Sequence, residues 1–103
     1  MERKVKSLGA GKLKIGSSAL YIVPPNTWAE VFKVTLAASS NVTLNIYHQI
    51  GPNIYRLTPN NLAMATGEFT ELENLTMSPG GMLVGDCSID GGVDFTVNGA
   101  EER

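Results

Sequence analysis

Apolar and polar residues alternate along much of this chain, most regularly from Val42 to Ile50. There Val42, Leu44, Ile46, His48 and Ile50 share one parity, and Thr43, Asn45, Tyr47 and Gln49 share the other. A strand sends successive side chains to opposite faces, so this is the pattern of a half-buried antiparallel strand; a helix would scatter the same residues around its circumference. Ala19 to Val23 reads as a shorter strand that ends at a Pro24-Pro25-Asn26 corner. The next run puts Trp28, Phe32, Val34 and Leu36 on one parity, which predicts that these four face the core. Thr27 and Glu30 have the spacing of a helix capping box. Val31, Phe32, Val34 and Thr35 nevertheless lose side-chain freedom in a helix and pack well on a pleated surface, so the run is assigned as a strand.

Later segments repeat the sequence of strand, polar corner and strand. Ser39-Ser40-Asn41, Gly51-Pro52-Asn53 and Pro59-Asn60-Asn61 supply corners, and Ile54 to Leu57 and Leu62 to Met64 read as short strands. From Glu68 to Met77 the alternation breaks, because Leu72 lies on the parity opposite to Phe69, Leu75 and Met77; a β-bulge would reset it. Ser78-Pro79-Gly80-Gly81 is the strongest turn signal, and Asp90-Gly91-Gly92 fits a tight hairpin between Met82 to Ile89 and the closing set Val93, Phe95 and Val97. Ala100 to Arg103 reads as a polar tail, and Lys12 to Ile15 as a short edge strand. Residues 1–11 show no sustained pattern and contain Gly9 and Gly11, so they are read as a flexible N-terminal arm. Residues 12–103 then form a single domain: an all-β antiparallel β-sandwich, jelly-roll-like, with about eight short strands at the 8 to 12 residue spacing usual for such folds.

Composition sharpens this picture. A chain of 103 residues has room for one core, and a fold this small gains from partner subunits. The net charge of −2 gives no generally basic surface, yet Met1 to Lys14 holds Arg3, Lys4, Lys6, Lys12 and Lys14 against Glu2, so a basic leading segment precedes an acidic body. Such a segment could lie on an acidic neighbour, on nucleic acid or on a symmetry mate, or simply be solvated. The basic cluster holds no aromatic residue, which argues against specific nucleic-acid binding. Met1 to Lys14 has no apolar stretch of the kind found in a signal peptide, and no run approaches the ~20 apolar residues of a membrane span. The lone Cys87 has no intramolecular disulfide partner. Folding in a cytoplasm is the expectation.

Residues that could carry chemistry are few. His48 is the single histidine and lies on the apolar parity of its strand, where a hydrogen-bonded histidine at the core edge is expected rather than a catalyst. One His and one Cys fall short of a zinc site. Glu71 and Glu73 would share a strand face roughly 7 Å apart, a separation a glycosidase could use, but neither has an apolar pocket to raise its pKa. Solvated carboxylates, or partners for a neighbour's basic segment, are the better reading. Asp86, Asp90 and Asp94 could approach one another but lack the spacing of a calcium loop. Tyr47 and Tyr55 could present rings to a sugar or a protein, whereas Trp28 is expected to pack in the core or at its rim. No catalytic pair, metal site or cofactor is therefore expected.

The segments LYIVPPNTWAEVFKVTLA (Leu20 to Ala37), VTLNIYH (Val42 to His48), ELENLTMSPGGMLVG (Glu71 to Gly85) and VDFTVNG (Val93 to Gly99) together resemble small β-sandwich structural proteins of tailed bacteriophages. Gly81 stands where such proteins often place an aspartate. The resemblance implies a non-catalytic virion component. The first expectation is a capsid decoration or cement protein, assembled in the host cytoplasm, acting as a homo-oligomer (a trimer) on the major capsid protein. Arg3, Lys4 and Lys6 would then lie on the shell or on a neighbouring subunit. A tail, neck or baseplate component is the alternative within the virion, and a small glycan-binding module using Tyr47 and Tyr55 is the alternative outside it.

Overall fold

The computed structural model describes residues 3–102, with side chains placed for residues 7–102. Its nine strands are β1 (Arg3–Lys12), β2 (Ser18–Ile22), β3 (Trp28–Ala38), β4 (Val42–Ile50), β5 (Asn53–Arg56), β6 (Leu62–Met64), β7 (Phe69–Met77), β8 (Met82–Cys87) and β9 (Val93–Glu102). They form two antiparallel sheets. Sheet A has the order β1-β9-β3-β7, and sheet B the order β2-β8-β4-β5, with β6 pairing the far end of β4. The pairings are nested: β1 with β9, β2 with β8, β3 with β7 and β4 with β5. The chain is thus one long hairpin closed at the β4–β5 turn and rolled until β3 also meets β9 and β4 also meets β8. That is a jelly roll, the fold expected from the alternation.

The core lies between the sheets. Val34, Leu36 and Val97 from sheet A meet Leu44, Ile46 and Leu83 from sheet B, each essentially without solvent exposure. Met77 and Val93 close the layer at either end, and Leu13 plugs the path by which the chain leaves β1. Leu13 donates its N–H to Val93 O and accepts from Gly91 N, while Lys14 O accepts from Cys87 N, so the chain steps from sheet A to sheet B at this point.

Several expectations are corrected. Residues 3–12 are not a flexible arm: they form β1, which pairs with β9 from Arg3 opposite Glu102 to Lys12 opposite Asp94. An edge strand rich in Lys and Gly needs only its backbone to join a sheet, so it shows no apolar alternation. Residues 1 and 2 lie outside the described residues. Lys12 to Ile15 is not a separate strand, and Ala100 to Glu102 of the expected polar tail are the end of β9, with Ala100 buried; Arg103 lies outside the described residues. The nine strands among the described residues agree with the expected count of about eight. Asp90-Gly91-Gly92 does not close a hairpin, because β8 and β9 belong to different sheets. It forms an arch in which Gly91 adopts φ 73° and Gly92 N donates to Ile89 O. Among the described residues the β4–β5 connection is a hairpin between chain neighbours, and Pro59-Asn60-Asn61 keeps the chain within sheet B, since β5 and β6 both pair with β4; the corners after β2, β3, β6, β7 and β8 carry the chain across the sandwich.

Trp28 and Phe32 face outward, contrary to their parity with Val34 and Leu36. The register of β3 against β9 jumps between Val31 and Lys33, so Phe32 is a bulge residue that switches the parity, and Ala29 and Val31 point inward instead. The parity break expected in β7 is present, though β7 stays in register with β3 on either side of it and so gains no extra residue relative to that strand. Asn74 adopts φ 58° across from Phe32, and it brings Leu72, Leu75 and Met77 to the inner side while Phe69 faces solvent.

Candidate interaction surfaces

The outer faces of the two sheets differ in chemistry. On sheet A the outward positions are largely polar or charged. Lys33 Nζ contacts Glu71 Oε2 at 2.7 Å and Lys12 Nζ contacts Asp94 Oδ1 at 2.5 Å. The hydrogen bond and charge of Glu71, with a further contribution from Glu73, raise the Lys33 pKa. Glu71 and Glu73 therefore stand beside a lysine and not as an isolated acid pair. The backbone of Arg3 and Lys4 lies beside Glu102 and Glu101, and that of Lys6 beside Gly99, while the side chains of these three basic residues are outside the described set. A surface hollow of about 210 Å³ on this face is lined by Trp28, Glu30, Thr76, Ala100 and Glu102, with both glutamates already engaged.

Sheet B turns a different face outward. Cross-strand pairing sets Ile22, Met82, Gln49 and Ile54 in one row, and Ala19, Val84, Tyr47 and Arg56 in the next. Ile22 is 55% and Ile54 60% exposed. Beside them Asn45 organises a polar cluster. Its Nδ2 donates to Asp86 Oδ1 at 3.0 Å and to Asn61 Oδ1 at 3.1 Å. Its Oδ1 accepts from Arg56 Nη1 at 2.7 Å and from the Asn61 N–H at 2.8 Å. The Arg56 guanidinium also lies 4.9 Å from the Tyr47 ring centroid and donates to the Tyr47 hydroxyl at 3.4 Å. A planar cation stacked on an aromatic ring and tied to a buried amide is held in one orientation.

Tyr47 and Tyr55 do not share a platform. Tyr47 pairs with Arg56 on the outer face, whereas Tyr55 pairs with His48 on the inner face, where it is still half exposed at the open edge. This separates the two rings that a glycan site was expected to combine. The same open side, between β7 and the segment after β5, holds a largely apolar cleft of about 130 Å³ lined by Val31, Val34, Leu57, Leu72 and Leu75, with Glu73 at its margin.

His48 is buried, as its parity predicts, but its Nε2 has no hydrogen-bond partner among the described residues, contrary to the expected satisfied imidazole. Burial lowers its pKa from the ordinary value. At the other end of the interface between sheets, the Tyr21 hydroxyl donates to Glu101 Oε2; burial and this carboxylate together raise the phenol pKa. Asp86, Asp90 and Asp94 do not converge: Asp86 belongs to the Asn45 cluster, Asp90 accepts from Ile15 N and Asp94 pairs with Lys12. Among the described residues there is no group of three or more His, Cys, Asp or Glu side chains placed to hold a metal ion. No local pattern announces the Asn45 cluster, because its members come from four separate segments and none is unusual alone.

No family model matches this sequence, and no curated protein matches it. Among solved structures, one described as the acidic stable capsid structure of Helicobacter pylori bacteriophage KHP30 contains a chain of like fold. It matches with a TM-score of 0.51 and 16% identity over 96% of this chain and 86% of that one, so the two chains are of similar length. At that identity the likeness is one of fold.

Proposed function

We propose that this protein is a non-catalytic structural component of a phage particle, and specifically a small decoration or cement protein that binds the shell and reinforces contacts between capsomers. The observation that carries the reading is the end-to-end match of fold and chain length with a chain from a phage capsid structure. The resemblance of Leu20 to Ala37 and Glu71 to Gly85 to tailed-phage β-sandwich proteins supports the same reading independently. The surface chemistry is consistent with attachment: sheet A carries charges suited to steering and orienting a partner, with Arg3, Lys4 and Lys6 on its β1 edge. Affinity on a shell would come from many symmetry-related copies, each contact being modest.

The test is cosedimentation with purified empty capsids and, separately, with purified tails. Retention on capsids, weakened by salt and by Arg3→Glu, Lys4→Glu and Lys6→Glu combined, is the expected result. Retention on tails alone would replace the decoration role with a tail, neck or baseplate role. Retention on neither would overturn the virion reading.

A further inference from the structure

We propose that the outer face of sheet B is the contact between two copies of this chain, packed sheet on sheet about a twofold axis running along β4. Among the described residues this face carries Tyr47, Met82, Val84, Ile22 and Ile54 and no lysine or glutamate, the composition of an interface core rather than of a solvated sheet. Its two formal charges, Arg56 and Asp86, sit on β5 and β8, the strands on either side of β4.

That placement selects the axis. A twofold axis running across the strands would set β5 on β5 and β8 on β8, bringing Arg56 toward Arg56 and Asp86 toward Asp86. An axis along β4 sets β5 of one copy over β8 of the other. Ile54 then meets Met82 at the same level, since both pair with Gln49. Arg56 meets the second copy's Asp86 one row away, about 7 Å along the strand and within reach of an arginine side chain. The contact is self-complementary, as a twofold requires. Asn45 fixes both charged groups within each copy, so little side-chain freedom remains to be lost on pairing.

The face is small. An axis along β4 overlaps three strands of each copy, β8, β4 and β5, and leaves β2 with Ile22 at the margin; with four or five residues along each strand the overlap is roughly 14 by 15 Å, well below the ~800 Å² per partner of a stable interface. Pairing is therefore weak and concentration-dependent in solution. It also replaces the expected trimer with a pair, because a single isologous contact cannot close a ring of three.

Sedimentation equilibrium on the intact protein, up to roughly millimolar concentration, tests this. The wild type is expected to show a monomer–dimer equilibrium. Ile54→Lys, which alters an exposed side chain on an edge strand, is expected to weaken it about tenfold or more. Arg56→Asp and Asp86→Arg should each weaken it similarly, and the double exchange should recover the pair to within a few-fold. A wild type that stays monomeric throughout overturns the proposal. So does a trimer, or an Ile54→Lys variant that pairs as well as wild type, or a double exchange that folds by circular dichroism yet stays as dissociated as the singles. The pairing goes beyond the virion reading: a dimer that ignores capsids and tails would sink the role and leave the pair.

Discussion

A Cβ added at Gly99 would lie 2.1 Å from the Glu30 carbonyl oxygen and 3.0 Å from the Val31 Cα, both backbone atoms of the neighbouring strand. No rotamer change relieves such a clash, so Gly99→Ala must push β9 away from β3 beside the bulge. The expected cost is about 3 kcal/mol or more, read as a fall in the urea midpoint. His48 acts by charge instead of volume. Burial holds its pKa below the ordinary 6.5, so the unfolded chain takes up a proton at a pH where the folded protein does not. Below that value the unfolded state binds more protons, and stability present at neutral pH is lost as the pH falls through the unfolded pKa toward the folded one. Urea unfolding at pH values from roughly 7 to 5 should show a declining midpoint in the wild type and a flatter profile in His48→Leu. Equal slopes would mean that other groups set the acid limit.

At the scale of the strands, irregularities decide which side chains see the core. Val42 to Ile50 was legible in the sequence because β4 runs without a bulge, and its alternation maps directly onto inside and outside. β7 was partly legible, because Leu72 clashed in parity with Leu75 and Met77 and so announced a break. β3 was not: apolar residues occupy both of its parities, so the sequence could not show that Phe32 interrupts the register. β1 was hidden for another reason, since it is held by backbone pairing to a strand at the far end of the chain. The left-handed Asn74 gives a test at this scale. An L-residue other than Asn or Gly pays about 1–2 kcal/mol at φ 58°, so Asn74→Val should lower stability by about that amount while Asn74→Gly stays near wild type. If both variants match the wild type in thermal melting, β7 tolerates a regular backbone there and the left-handed turn of the chain is incidental.

At the scale of the whole molecule, the jelly roll ties the first strand to the last. The corners could be placed from Pro, Gly, Asn and Ser, but the sheet that each new strand joins depends on pairings between residues up to about a chain length apart, which no local pattern encodes. Such nested contacts must close long loops before they are rewarded, which places folding in the slow range of ms to s for domains of this kind. They also make the N-terminus part of the fold. Removing residues 1–11 would strip nearly all of β1 from sheet A, leave the β9 edge unpaired from Phe95 to Glu102, and uncover apolar surface packed near Leu8. The truncated chain should therefore unfold at markedly lower urea, or aggregate through the bared edge. Charge reversal of Arg3, Lys4 and Lys6 keeps the backbone pairing but sets like charges opposite Glu102 and Glu101 in the register, so it should cost at most about 1–2 kcal/mol of stability, well short of the truncation. A truncated chain as stable as the full one would show that β1 is a dispensable attachment, and that any loss of capsid binding on truncation reports the segment's own contacts and not the collapse of sheet A.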